Sequence, residues 1–394
     1  MSDVVVPPAP WREATAGVPG PLAVVDLGAF DANARDLLAR AQGTPIRVAS
    51  KSLRVRSLID RALATPGFAG VMAFSVAEAL WLAEQGIEDV LLGYPSVDRV
   101  ALGRLVTSAH RERITLMIDD VAQVALIERA LTRAGSPDGP PLRVCLDVDA
   151  GLRVGPAHIG PRRSPVRQPA EAVELARAVE RTGRLRVRGV MFYEGQVAGV
   201  GETGPRGPLV RAMKAASLRQ LRQRRPAVVG ALRDALGRDL LVNGGGSGSV
   251  ADTVADPTIT EVTAGSGLYC PALFDHYAAF RPRPAAFFGL DVVRRPTGRI
   301  ATAFGGGYIA SGPAGRDRLP TPLDGGAYLS AEGAGEVQTP LRYRGLAPAV
   351  GDRVWFRHAK AGELMERFDE VHLVRGDRLV ETAPTYRGEG RTFG

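Results

Sequence analysis

Between residues 20 and 265 the chain alternates short, β-branched apolar runs with longer segments whose apolar positions recur at helical spacing. "PLAVVDL" (21–27) reads as strand and "GAFDANARDLLARA" (28–41) as helix. The alternation continues with "IRVASK" (46–51) and "RVRSLIDRALAT" (54–65), then "GVMAFS" (70–75) and "VAEALWLAEQG". It recurs in "DVLLGYP" (89–95) with "SVDRVALGRLVTSA", and in "RITLMID" (113–119) with "DVAQVALIERALTRAG". "LRVCLDVD" (142–149) is separated from a helix at 169–182 by a Pro/Gly/Arg-rich loop, and "RVRGVMFY" (186–193) precedes a long helix near 207–236. "DLLVNGGG" (239–246) and "EVTAG" (261–265) end the series. The strand runs are apolar without alternation, as a parallel sheet covered on both faces requires. About eight or nine such units predict an α/β fold, a closed (β/α)8 TIM-type barrel first and a doubly wound open sheet second. Beyond residue 270, runs such as "AAFFGLDVVRRP", "GRIATAFGGGYIA" and "EVHLVRGDRLVETAPTYRG" read as strands joined by Gly, Pro and Asp turns. They predict a C-terminal antiparallel β domain, with the barrel expected over 1–268 and the β domain over 269–394.

Composition narrows the function. The 394 residues are 45% hydrophobic and 23% charged, an ordinary globular balance with ample material for a core. No apolar run approaches the roughly 18 residues of a membrane span. The start, "MSDVVVPPAPW", lacks the basic and apolar regions of a secretory signal. Cys145 and Cys270 are too few for a disulfide framework. A cytoplasmic location is the expectation. The net charge of +8 raises nucleic acid as a partner, but the arginines are scattered apart from runs such as "RQLRQRRP" (219–226). Without an aromatic-interleaved basic motif, the charge better suits an anionic substrate or a phosphate-bearing cofactor.

The cations are themselves informative. Of 50 Lys and Arg residues only three are lysine: Lys51, Lys214 and Lys360. Arginine is never deprotonated in practice, whereas a desolvated lysine becomes an amine nucleophile, so Lys51 at a strand end is a Schiff-base candidate. At a later strand end, Asn243, Gly244, Gly245, Gly246 and Ser247 combine close backbone approach with a hydroxyl. Gly265, Ser266, Gly267 and Tyr269 repeat the arrangement at the next one. Late glycine-rich strand ends are where barrels bind phosphate, and an early lysine with a late phosphate site points to pyridoxal 5′-phosphate. Lys214, on an expected helix, has no assigned role.

The segments "GPLAVVDLGAFDANARDL", "RVASKS", "SVAEALWLAEQGIEDVLLGYP", "LDVDAGLRVG", "GVMFYEG", "NGGGSGS", "EVTAGSGLYCPALFDHY" and "RHAK" carry a resemblance that extends over nearly the whole chain. In order and spacing they resemble the fold-type III pyridoxal-phosphate enzymes, specifically the alanine racemase N-terminal barrel as used in the D-threonine aldolase and D-serine dehydratase group. The resemblance implies that Lys51 holds the cofactor and moves protons at the substrate. It places Arg153 near the pyridine ring or its 3′-oxygen, Tyr193 beside the cofactor, and Gln196 at the pocket wall; Asp149 and Glu194 receive no role. It implies a homodimer acting on a small-molecule amino-acid substrate, in which one subunit's β domain completes the other's site.

One departure bears on the reaction. In the aldolases and dehydratases a histidine and a Cys or Asp two residues later bind a divalent metal. Here His358 is followed at that spacing by Lys360, an ammonium that repels a cation. This argues against a family-type metal unless Glu363 and other groups supply a different site, and leaves His358 and Lys360 to handle a β-hydroxyl. The resulting expectation is a lyase on a D- or β-hydroxy amino acid. The alternatives are an amino-acid racemase, a non-catalytic PLP-binding protein, and a nucleic-acid-binding barrel.

Overall fold

The computed structural model describes residues 10–135, 138–281 and 283–393. Residues 1–9, part of the stretch read above for a secretory signal, lie outside the described residues. By contacts the chain divides into two units. One comprises Leu37–Lys51, Arg61–Gly265 and the last two residues; the other comprises Met1–Asp36, Ser52–Asp60 and Ser266–Thr392. Among the described residues, no helix is long and apolar enough to cross a membrane.

The first strand-like run leaves the barrel series, a correction to the sequence reading. Strand β1 (Leu22–Asp26) pairs antiparallel with the strand Ala286–Thr297 and parallel with the strand Glu370–Arg375. The reason lies in the pattern itself. Leu22, Ala23, Val24 and Val25 are all buried, and an unalternating apolar run suits the middle of any sheet covered on both faces. On one face Leu22 and Val24 join Trp11, Phe287, Trp355 and Val374 in a core cluster, where Trp11 stacks on Phe287 at 4.5 Å. The other strand pairs of this sheet are antiparallel, as predicted.

The remaining runs form the barrel. Strands β2 (Ile46–Ala49), β3 (Phe68–Ala73), β4 (Val90–Leu92), β5 (Ile114–Ile118) and β6 (Leu142–Asp147) come first in the chain. A small antiparallel hairpin, β7 (Leu152–Val154) and β8 (Ala157–Ile159), interrupts the series. Strands β9 (Leu185–Phe192), β10 (Leu241–Gly244) and β11 (Glu261–Ala264) complete it. The sheet closes in the order β10-β11-β2-β3-β4-β5-β6-β9, parallel throughout, which excludes the open-sheet alternative.

Near the strand starts the barrel is tied by charge. Arg47 donates from Nε and Nη2 to the two carboxylate oxygens of Glu261 at 2.7 and 2.9 Å, and from Nη2 to Asp89 at 3.0 Å. Arg188 grips Asp89 from β9 at 2.7 Å through both terminal nitrogens, and Asn243 donates to Glu261 at 2.8 Å. With its partners in place, the buried Arg47 is satisfied rather than stranded. Local signals fix the helices outside: Ser75 accepts the Glu78 N–H at 3.2 Å, while Glu78 takes the Phe74 N–H at 2.7 Å, starting the helix Val76–Glu84.

Candidate active site

Several of the expected site residues lie at the C-terminal ends of the barrel strands, the end at which barrels place reacting groups. Lys51 lies in a single helical turn, Ser50–Ser52, directly after β2. The turn is anchored by the buried Ser50, whose hydroxyl donates to the Met72 carbonyl at 2.9 Å. Lys51 Nζ donates to Tyr94 Oη at 2.7 Å and lies 5.3 Å from the centre of that ring. No carboxylate pairs with it among the described residues. Tyr94, just beyond β4, was missed in the sequence, although "LLGYP" places a tyrosine at a barrel strand end. Arg163 was missed too; its guanidinium lies over both Tyr94 and Tyr193, 5.5 and 5.3 Å from the ring centres. Burial opposes ionisation of Tyr94, but the charges of Lys51 and Arg163 outweigh it and hold the phenol below its ordinary value. Tyr193, after β9, is shifted the other way, chiefly by burial.

The two glycine-rich strand ends do come together. Strands β10 and β11 are neighbours, and the Gly265 N–H donates to Ser247 Oγ at 3.2 Å. Because β11 also pairs with β2, the Gly265 strand end neighbours the strand that leads into Lys51, and the Ser247 loop lies one strand further round the barrel. Gly245 adopts φ +80°, a conformation that favours glycine, and a Cβ on Gly246 would come within 2.9 Å of the Ala198 methyl. That same position is 3.7 Å from Tyr193 Cε2, so the loop passes close to the Tyr193 ring. Asn243 and Gly244 belong to β10 itself. The Asn243 amide is committed to Glu261 and Thr263, both at 2.8 Å.

Glu194, which sequence reasoning left without a role, holds this loop. Its carboxylate is fully buried, accepts a hydrogen bond from Thr253 Oγ1 and lies 3.4 Å from Ser249 Oγ. It also takes the Gly245 N–H at 3.3 Å. Arg225 from the helix Gly207–Leu236 balances it at 3.6 Å and pairs with Asp256 at 2.8 Å. On the same helix the buried Lys214 forms an ion pair with Glu202, which gives this lysine a structural partner.

At the end of β6 stands Asp147, also missed. Burial and the charges of Asp119 and Asp149 push its carboxyl up to about 7, with only Arg163 and a backbone N–H opposing among the main influences. Arg153, the expected ring neighbour, lies in β7 with its side chain half exposed. It reaches back to Asp149 at 3.8 Å. Asp149 is gripped by the Gly151 N–H at 2.8 Å, His158 at 3.0 Å and Arg167 at 2.7 Å. Although burial works against ionisation, these partners keep its carboxyl below the ordinary range. Gln196 is buried and donates to the Ala150 carbonyl at 2.9 Å.

The remaining expected residues lie in the other contact unit. Ser266, Gly267 and Tyr269 form the turn Ser266–Tyr269, and the fully buried Tyr269 hydroxyl donates to the Leu53 carbonyl at 3.0 Å. His358, after the strand Arg353–Arg357, meets Tyr269 edge-on at 6.1 Å between ring centres. Its Nδ1 lies 3.3 Å from the Ala286 carbonyl, which assigns the proton to Nδ1. The lone pair on Nε2 is then buried with no partner among the described residues. Burial, reinforced by the Arg357 charge, lowers the imidazole to about 3, so it is neutral near pH 7. Lys360 donates to Ser311 Oγ at 3.3 Å.

These residues can be tested against the groups that the fold implies. A primary amine with no carboxylate partner, a serine-bearing glycine cradle and an aromatic face suit a phosphorylated aldehyde cofactor. A family-type metal fits poorly: His358 offers one lone pair, but the position two residues on presents an ammonium. Among the described residues no group of three or more His, Cys, Asp or Glu could hold a metal ion.

Known proteins share this architecture. The family model of the alanine racemase N-terminal domain matches residues 25–272. A D-threonine aldolase of an Arthrobacter species is 27% identical over 264 residues, which cover 66% of this chain and 63% of that protein. The match thus spans less than two thirds of that relative. Among solved structures, D-threonine aldolase from Filomicrobium marinum superposes with a TM-score of 0.79 at 24% identity, covering 95% of this chain and 96% of the other. D-threo-3-hydroxyaspartate dehydratase from Delftia sp. HT23 gives 0.70 at 19%, with 93% and 97% covered. Alanine racemase from Clostridium difficile 630 gives 0.60 at 14%, with 93% and 99% covered. The fold agrees across all three, and with the family model spanning most of the barrel, the chain belongs to the alanine racemase N-terminal domain family.

Proposed function

We propose that this protein is a pyridoxal-phosphate-dependent lyase of D-configured or β-hydroxy amino acids, with Lys51 as its Schiff-base residue. The observation that carries the reading is the position of Lys51: a lysine without a carboxylate partner among the described residues, directly after the strand next to β11, whose end ties Gly265 to Ser247. The relatives named for D-threonine aldolase and D-threo-3-hydroxyaspartate dehydratase support the substrate class. When bound, the cofactor supplies an electron sink for cleavage beside the substrate's amino-bearing carbon.

The protein's own share is to bind, orient and move protons. Lys51 Nζ takes the aldehyde and afterwards serves as base and acid. Gly244–Ser247 with Gly265, Ser266 and Gly267 receive the phosphate, and Tyr193 lies against the ring. Arg153, Asn243 and Tyr269 belong to the proposed cofactor set as well. They contribute by position, since the Asn243 amide and the Tyr269 hydroxyl are committed to protein partners. The neutral His358 and Lys360 are proposed to hold the β-oxygen in place of a metal, through a lone pair and an ammonium. In this reading residues 1–268 carry the cofactor region and 269–394 the D-serine dehydratase-like β domain, and the working species is a homodimer.

The purified protein is expected to show a visible absorbance band that borohydride abolishes, and Lys51→Ala to lack it. A variant that keeps the band sinks the assignment. Incubation with D-threonine, D-serine and D-alanine separates aldehyde release, ammonia release and racemisation. Stoichiometric bound metal, with activity lost to EDTA, would overturn the reading of Lys360.

A further inference from the structure

Tyr94 has a geometry that the proposed function leaves unused. Its hydroxyl oxygen is 2.7 Å from Lys51 Nζ, close enough for direct proton transfer. The groups facing the phenol are Lys51 from the turn after β2, Arg163 from the segment after β8, and Tyr193 from the end of β9. Two of the three are cations, and no carboxylate is among them. Arg163, exposed and laid across both rings, forms no ion pair among the described residues, so its charge is available to stabilise a negative oxygen between the strands.

We propose that Tyr94 is a catalytic residue, the acid–base partner that takes a proton from Lys51 and returns it, with Arg163 stabilising its phenolate. The step balances as written. The ammonium N–H bond of Lys51 breaks and the O–H bond of Tyr94 forms, so an ammonium and a phenolate become an amine and a phenol. The electron pair of the broken bond stays on nitrogen, giving the neutral amine that attack on an aldehyde requires. The reverse transfer recharges Lys51 once its amine has acted. Arginine at position 51 could not take part, because its guanidinium does not give up a proton near neutral pH. This inference rests on the reading of Lys51 as the cofactor-bearing amine, and it adds a pH-dependent partner 43 residues further along the chain.

The test begins with the cofactor-free protein. Ultraviolet titration should show one phenol ionising below the ordinary tyrosine value, absent in Tyr94→Phe and moved upward in Lys51→Ala. Arg163→Gln, at an exposed position, should also move it upward, which keeps the test informative if Tyr94→Phe folds poorly. In the loaded enzyme, Tyr94→Phe should keep the visible cofactor band. Its kcat/KM should fall by about 10²-fold or more and its pH profile should lose one limb. An unchanged phenol titration in Lys51→Ala and Arg163→Gln, or a Tyr94→Phe enzyme with the parent pH profile, overturns the proposal. If the wild-type protein shows no cofactor band, the proposed function fails by itself, and the phenol titration still decides whether Tyr94 and Lys51 share a proton.

Discussion

Replacing Glu194 with alanine removes the carboxylate that joins the glycine loop to its supporting helices. Three donors converge on it: the Thr253 hydroxyl closely, the Gly245 N–H at 3.3 Å and the Ser249 hydroxyl at 3.4 Å. A hydrogen bond to a charged acceptor contributes about 1.5–3 kcal/mol. The last two contacts are long, so the set counts as little more than one full bond. Arg225 would lose one counter-charge but keep Asp256 at 2.8 Å, so the 3–5 kcal/mol typical of an orphaned buried charge is only partly incurred. The sum for Glu194→Ala is about 3 kcal/mol, whereas Glu194→Gln keeps an acceptor for Thr253 and should lose about 1 kcal/mol. Urea denaturation of the cofactor-free protein measures this loss, and titration with pyridoxal phosphate measures its consequence. Since about 1.4 kcal/mol is tenfold in affinity, a loosened loop should weaken binding by tenfold or more in the alanine variant. Equal denaturation midpoints for the parent and Glu194→Ala, with unchanged cofactor affinity, would refute the view that this carboxylate shapes the loop.

Other positions give sharp expectations. Asp147 is raised in the folded protein to about 7 from an ordinary value of 3.8, so its contribution to stability is complete below pH ~4 and is lost as pH rises through about 7. Denaturation midpoints measured across that window should fall for the parent and flatten for Asp147→Asn; parallel curves would contradict the assignment. Arg47→Met should destabilise the barrel by about 3–5 kcal/mol, because Glu261 and Asp89 then face each other with one cation fewer. Thermal unfolding reads this, and a Tm equal to the parent's would show the charged layer to be dispensable.

The sequence by itself determined the elements and their chemistry. Unalternating apolar runs marked the strands, apolar positions at helical spacing marked the helices, and the scarcity of lysine singled out Lys51. These are local properties, written within a turn or two of the residues that carry them. Pairing was decided only in three dimensions. "LAVVD" fits a barrel and a mixed sheet equally well, because both bury it on two faces, and only the tertiary structure placed it beside the strands at 286–297 and 370–375. Likewise Tyr94 and Glu194 were visible at strand ends, but nothing local says that one meets Lys51 and the other carries the glycine loop. Barrel closure brings β2 beside β11 across more than 200 residues of chain, and such adjacency depends on the packing of whole strands rather than on any single residue.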